Sequence, residues 1–107
     1  MGKYADTPED LEMLLEDTLV LGDRAALAGL FEEWAVLTTG TGSEVRGGRL
    51  VLERLAAGMS LHPYVADPRL VIQARRRALV LTGSGVNLVR RDRDGAWRYE
   101  ILHLWTE

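Results

Sequence analysis

Leu11, Leu14, Leu15 and Leu19 recur at spacings of three and four, which lays them along one apolar stripe of a helix and puts Glu12, Glu16 and Asp17 off it. Just ahead, Thr7-Pro8-Glu9-Asp10 supplies a hydroxyl cap, a proline where its missing N–H costs nothing, and acids in the positive first turn, so the helix is predicted to begin at Pro8. Gly22-Asp23 ends it and caps a second, shorter helix. The apolar positions Ala26, Leu27, Leu30 and Phe31 carry that helix to Glu33. Trp34–Thr39 then reads as a short strand, 40–43 as a turn, and Arg49–Ala57, with Val51, Leu52, Leu55 and Ala56, as a third helix closed by Gly58.

The second half changes period. Leu70–Ala74, Ala78–Thr82, Val86–Arg91 and Ala96–Trp105 are rich in Val, Ile, Leu, Trp and Tyr and are separated by charged or glycine-bearing breaks, the pattern of an antiparallel meander. Asp94-Gly95 marks the hairpin between the last two strands. Gly83-Ser84-Gly85 lacks the lysine and helix start of a phosphate loop and reads as a bend that helps the sheet curl. The predicted fold is α+β: three helices packed on a strongly curved antiparallel sheet, within one domain spanning 1–107.

Composition narrows the chemistry. With 47% hydrophobic and 27% charged residues the chain is of ordinary globular type. It has no cysteine, which removes disulfides, thiolate metal sites and a cysteine nucleophile. No apolar run approaches the ~20 residues of a membrane span, and Met1–Lys3 is followed by acids instead of an apolar signal segment, so a cytoplasmic protein without membrane contact is expected. Residues 1–33 carry nine acids against two bases, and 34–107 carry eleven arginines against seven acids. A net +4 spread over strand ends and turns is a weak nucleic-acid signal, and no nucleic-acid partner is expected. Arg75-Arg76-Arg77 reads as a charged turn at a sheet edge.

The motifs Gly22-Asp23-Arg24-Ala25-Ala26-Leu27, Leu30-Phe31-Glu32-Glu33-Trp34-Ala35-Val36-Leu37, Val45-Arg46-Gly47 and Asp94-Gly95-Ala96-Trp97-Arg98-Tyr99, in this order of elements, resemble the nuclear transport factor 2-like superfamily, closest to its small SnoaL-like and ketosteroid-isomerase-like members. The resemblance implies a cone-shaped sheet closed on one side by helices, an internal hydrophobic pocket, and a homodimer. Counting from Gly22-Asp23, it puts the isomerase's proton-shuttling aspartate at Thr39 and its tyrosine donor at Leu15; counting back from Gly95, its protonated aspartate donor falls at Asn87. Neither Thr39 nor Leu15 can do the corresponding work, so the steroid-isomerase mechanism is disfavoured.

Alternation along the last strand is expected to put Trp97, Tyr99, Ile101, His103 and Trp105 on one face. If that face lines the cone, His103 is the acid–base candidate and Asn87 a polar anchor; the plainer reading of His103 is a hydrogen-bonded core or interface histidine. Trp34, Thr39, Tyr64, Tyr99 and Trp105 are the candidate ligand-binding residues, for a small apolar or ring-containing ligand. His62, in Ser60-Leu61-His62-Pro63-Tyr64, is a candidate for the pocket rim. Two histidines alone make no zinc site, and neither metal nor organic cofactor is expected. Two functional readings result: a pocket protein, with a cofactor-independent isomerase, cyclase or lyase among its forms, and a non-catalytic ligand-binding or homodimerisation module.

Overall fold

The computed structural model describes residues 4–105, so the expectation drawn from Met1–Lys3 lies outside the described residues. Helix α1 (Pro8–Leu21) begins as predicted: Thr7 is extended and its hydroxyl accepts from the Asp10 amide at 3.0 Å. It stops at Gly22, whose φ of 67° is the left-handed conformation that releases the chain and lets the Gly22 and Asp23 amides bond back to Leu19 and Thr18. Helix α2 (Arg24–Ala28) is capped by Asp23, which accepts from the Ala26 amide.

The chain then leaves the helical path earlier than its apolar spacing suggests. Gly29 closes α2 after five residues, and Phe31–Glu33, expected as helix, open strand β1 (Phe31–Thr39). The competing interaction is a strand partner: Tyr99 donates its amide to Leu30, and Phe31 stands beside Tyr99. A five-residue helix offers too few bonds to outweigh a ladder of that length. A three-residue strand, β2 (Glu44–Arg46), follows the turn, and then α3 (Gly48–Gly58). The remaining strands are β3 (Pro68–Ala74), β4 (Arg77–Thr82), β5 (Gly85–Arg91) and β6 (Trp97–Leu104).

The six strands form one sheet in the order β2-β1-β6-β5-β4-β3. The α+β plan with helices against a curled sheet holds, but the sheet is mixed: β1 and β6 run parallel and every other neighbouring pair is antiparallel. A parallel neighbour to a strand far along the chain cannot be read from local turn signals. Helix α1 crosses β3, β4 and β6, and α3 lies on β1 and β2. Leu11, Leu15 and Leu19 of α1 and Val51, Leu52 and Leu55 of α3 meet Leu37, Val80, Val89, Tyr99 and Leu102 from the sheet in one core.

Strand β6 departs from the expected alternation. Val89 pairs with Tyr99 but Leu88 pairs with Ile101, so Glu100 is an extra residue on β6. Ahead of it Trp97 and Tyr99 face inward; beyond it Leu102 is the fully buried residue, and Ile101 and His103 turn to the outer face. The five residues expected on one face are therefore split by a bulge. At the other end of β5, Thr82 accepts from the amides of Ser84 and Gly85 and so shapes the bend. A Cβ on Gly85 would stand 1.9 Å from the His103 carbonyl oxygen, which explains the glycine there.

Candidate functional site

Inside the fold, α1 delivers a carboxylate to the sheet. Glu12 follows Leu11 within the buried side of the helix and is wholly removed from solvent, a correction to its expected place off the apolar stripe. Its burial is made tolerable by three donors. The Tyr64 hydroxyl donates to Oε1 at 2.5 Å, and the Tyr99 hydroxyl and the Asn87 amide donate to Oε2 at 2.5 and 2.9 Å. Asn87 Nδ2 also reaches the Tyr64 hydroxyl at 3.3 Å, so that hydroxyl gives its proton to Glu12 and accepts from Asn87. Burial, and then charge and hydrogen bonding within the cluster, push both phenols far above the ordinary tyrosine range, which fixes them as donors. Asn87 Oδ1 is buried with no protein partner among the described residues.

The segment after α3 holds Tyr64 in this cluster. Glu16, one turn beyond Glu12, accepts from the Ala66 amide at 2.6 Å, and the Tyr64 amide points to the Met59 sulfur. The same segment borders open space. A cavity of about 330 Å³ is lined by Leu55, Leu61, His62, Pro63, Tyr64, Ser84 and Leu104. It adjoins a second of about 280 Å³, lined by Leu37, Thr39, Arg54, Leu55, Gly58, His62 and Leu104. Leu55, His62 and Leu104 border both, so the two form one hollow between α3 and the β1–β6 end of the sheet. Tyr64 is the one member of the buried cluster that lines it.

The sequence candidates divide accordingly. Asn87, Tyr64 and Tyr99 come together around Glu12, and Thr39 lines the hollow while its hydroxyl accepts from the Ser43 amide. His103 does not join them: its Nδ1 lies 2.7 Å from the Thr38 hydroxyl on the outer face, with Trp105 edge-on to its ring. Asn87 and His103 thus occupy opposite faces and cannot converge on one molecule. Trp34 and Trp105 are about half exposed, and Trp34 sits on the outer face under the Arg90 guanidinium with its indole N–H on Glu100. Leu15 is core. His62 does sit at the rim.

Three features escaped sequence reasoning. Glu12 looked solvated because its partners lie 52, 75 and 87 residues away. Its one local signal is position, between Leu11 and Leu15. Arg54, on the exposed side of α3 by periodicity, borders the hollow. The third is a carboxyl pair: Glu32, buried at the start of β1, is raised to about 7 by burial and then by hydrogen bonding and charge from Asp92, against the pull of Arg90 and Arg98. Arg98 in turn holds Asp94 down at about 2 through a direct hydrogen bond.

No protein-family model matches the chain, and no curated protein matches it. Solved structures do. An NTF2-like protein from Cytophaga hutchinsonii superposes with a TM-score of 0.67 at 12% identity, covering 92% of this chain and 93% of its own. This chain has the nuclear transport factor 2-like fold. A proposed calcium/calmodulin-dependent protein kinase type II association domain from Thiobacillus denitrificans gives 0.74 at 13% identity and 99% of both chains, and a proposed ketosteroid isomerase from Parabacteroides distasonis gives 0.62 at 17% identity, covering 94% of this chain and 87% of its own. At these identities the nuclear transport factor 2-like likeness is one of fold, and hosts of unrelated function share it.

Proposed function

We propose that this protein is a non-catalytic binder of a small, largely apolar molecule held in the hollow between α3 and the sheet. The observation that carries the reading is the contrast between two adjacent places. The interior carboxylate is sealed: its three donors are all protein groups and none of its surface is exposed, so a substrate proton has no path to it. The hollow beside it is open, with walls of Leu37, Leu55, Leu61 and Leu104 interrupted by polar groups such as Thr39, Arg54 and His62, and at about 330 and 280 Å³ its two lobes are of the size that small ligands occupy.

The test is a binding screen of small alcohols, ketones and aromatic compounds followed by thermal shift, with Leu55→Trp as the control that fills the hollow. Ligands that raise the melting temperature of the native protein and not of Leu55→Trp support the reading; ligands that act equally on both would sink it. Catalysis would call for a substrate turned over by the native protein and lost in Glu12→Gln.

A second reading has its own observation and is compatible with the first. The outer sheet face carries Ile72, Leu79, Leu88, Ile101 and Val36 in one cross-strand row, flanked by Leu70, Leu81 and Val86 in the next. Leu70, Ile72, Leu79 and Ile101 are each at least 40% exposed. An apolar surface continuous over five strands favours burial against a second copy of the chain, with His103, Trp34 and Trp105 at the contact.

A further inference from the structure

The proposal rests on the binding reading above and concerns the class of ligand. The hollow has an apolar interior built from Leu37, Leu55 and Leu104, and among the described residues no acidic side chain lines either lobe. Two of its polar lining groups, Arg54 and His62, are exposed, and no hydrogen bond or ion pair engages the side chain of either among the described residues. Arg54 has no helical partner because Leu50 and Gly58, four residues away on each side, carry no carboxylate; the neighbouring arginine, Arg49, has taken Glu53. Thr39 spends its hydroxyl on Thr41 and Ser43. In a chain of net charge −3, the hollow thus carries a cation unpaired among the described residues and an imidazole N–H beside apolar walls.

We infer that the ligand is a small hydrophobic carboxylate, its hydrocarbon body against Leu37, Leu55 and Leu104 and its two oxygens on Arg54 and His62. A guanidinium is a planar fork that matches two carboxylate oxygens, and a single further N–H suits a head of that size. A phosphate carries up to two charges, and Arg54 is the single Lys or Arg that lines the hollow among the described residues. The apolar body sets the position, and the head sets the preference for an anion.

The experiment is calorimetric titration of the full chain with four probes of one hydrocarbon length: hexanoate, 1-hexanol, hexylamine and hexyl phosphate. Hexanoate is expected to bind at least tenfold more tightly than hexanol and hexyl phosphate, with hexylamine weakest. Arg54→Gln with His62→Gln should bring hexanoate to the level of hexanol and leave hexanol unchanged. Equal binding of hexanol and hexanoate, or hexanoate binding untouched in the double variant, would overturn the carboxylate and leave the pocket standing. Tightest binding of hexyl phosphate would replace the carboxylate by a phosphate ester. Binding of none of the four would overturn both the carboxylate and the pocket.

Discussion

At the scale of single residues, the account turns on Glu12. A carboxylate taken wholly out of water is tolerable only with both oxygens hydrogen-bonded, and Tyr64, Tyr99 and Asn87 provide that. Removing the acid strands two phenols and an amide in the core, and each buried donor left unsatisfied costs about 1–3 kcal/mol, so Glu12→Ala is expected to destabilise the fold by about 3–5 kcal/mol in all. Tyr99→Phe, which deletes one bond to a charged group, should cost about 1.5–3 kcal/mol. Urea unfolding of the three proteins checks the order. An alanine variant as stable as the native chain would mean that the cluster opens to water and that Glu12 is accessible after all. The sequence carried Asn87, Tyr64 and Tyr99 as candidates, each for a reason of its own. Their convergence on Glu12 was not legible, because a helical stripe reports only which side of the helix is mostly apolar and is silent on what waits across the core.

At the scale of elements, local chemistry was readable and strand pairing was not. The cap at Thr7, the left-handed Gly22 and the turn at Gly95 with φ 88° follow from residue types alone. The parallel partnership of β1 with β6 and the extra residue at Glu100 depend on strands distant in sequence, and together they sent His103 to the outer face. Burial, and then the Asp92 carboxyl of the β5–β6 hairpin, raise Glu32 at the start of β1 from 4.5 to about 7, so the folded protein keeps a proton that the unfolded chain releases between those values. The unfolded state therefore binds fewer protons across that window, and stability falls as pH rises from about 4.5 to about 7. Above it the cost is fully expressed, and below it there is none. Glu32→Gln should flatten that part of the profile in denaturant unfolding from pH 4 to 8; an unchanged slope would remove Glu32 as its source.

At the scale of the whole molecule, the sheet has two working faces. The inner one is divided between a sealed polar cluster and an open hollow, and the outer one is an apolar band bordered by arginine–carboxylate pairs such as Arg77–Glu100. If that band is covered by a second copy, a double substitution Leu79→Glu and Ile101→Glu should shift the protein from dimer to monomer in sedimentation while its circular dichroism is kept. A native protein that sediments as a monomer would leave the band without that role. Composition and element order were enough to anticipate the α+β plan. They could not say which large side chains line the cone, since Trp34 and Trp105, candidates for ligand contact, lie on the outside, and Tyr64 is the residue that separates the hollow from the acid.

Ligand entry into the hollow, as against the sealed carboxylate or the outer face, can be followed by nuclear magnetic resonance titration of the labelled protein with hexanoate. Shift changes concentrated at Leu55, His62 and Leu104, and absent in Leu55→Trp, are expected. Changes centred on Ile101, His103 and Trp34 would place the ligand on the outer face and overturn the binding reading.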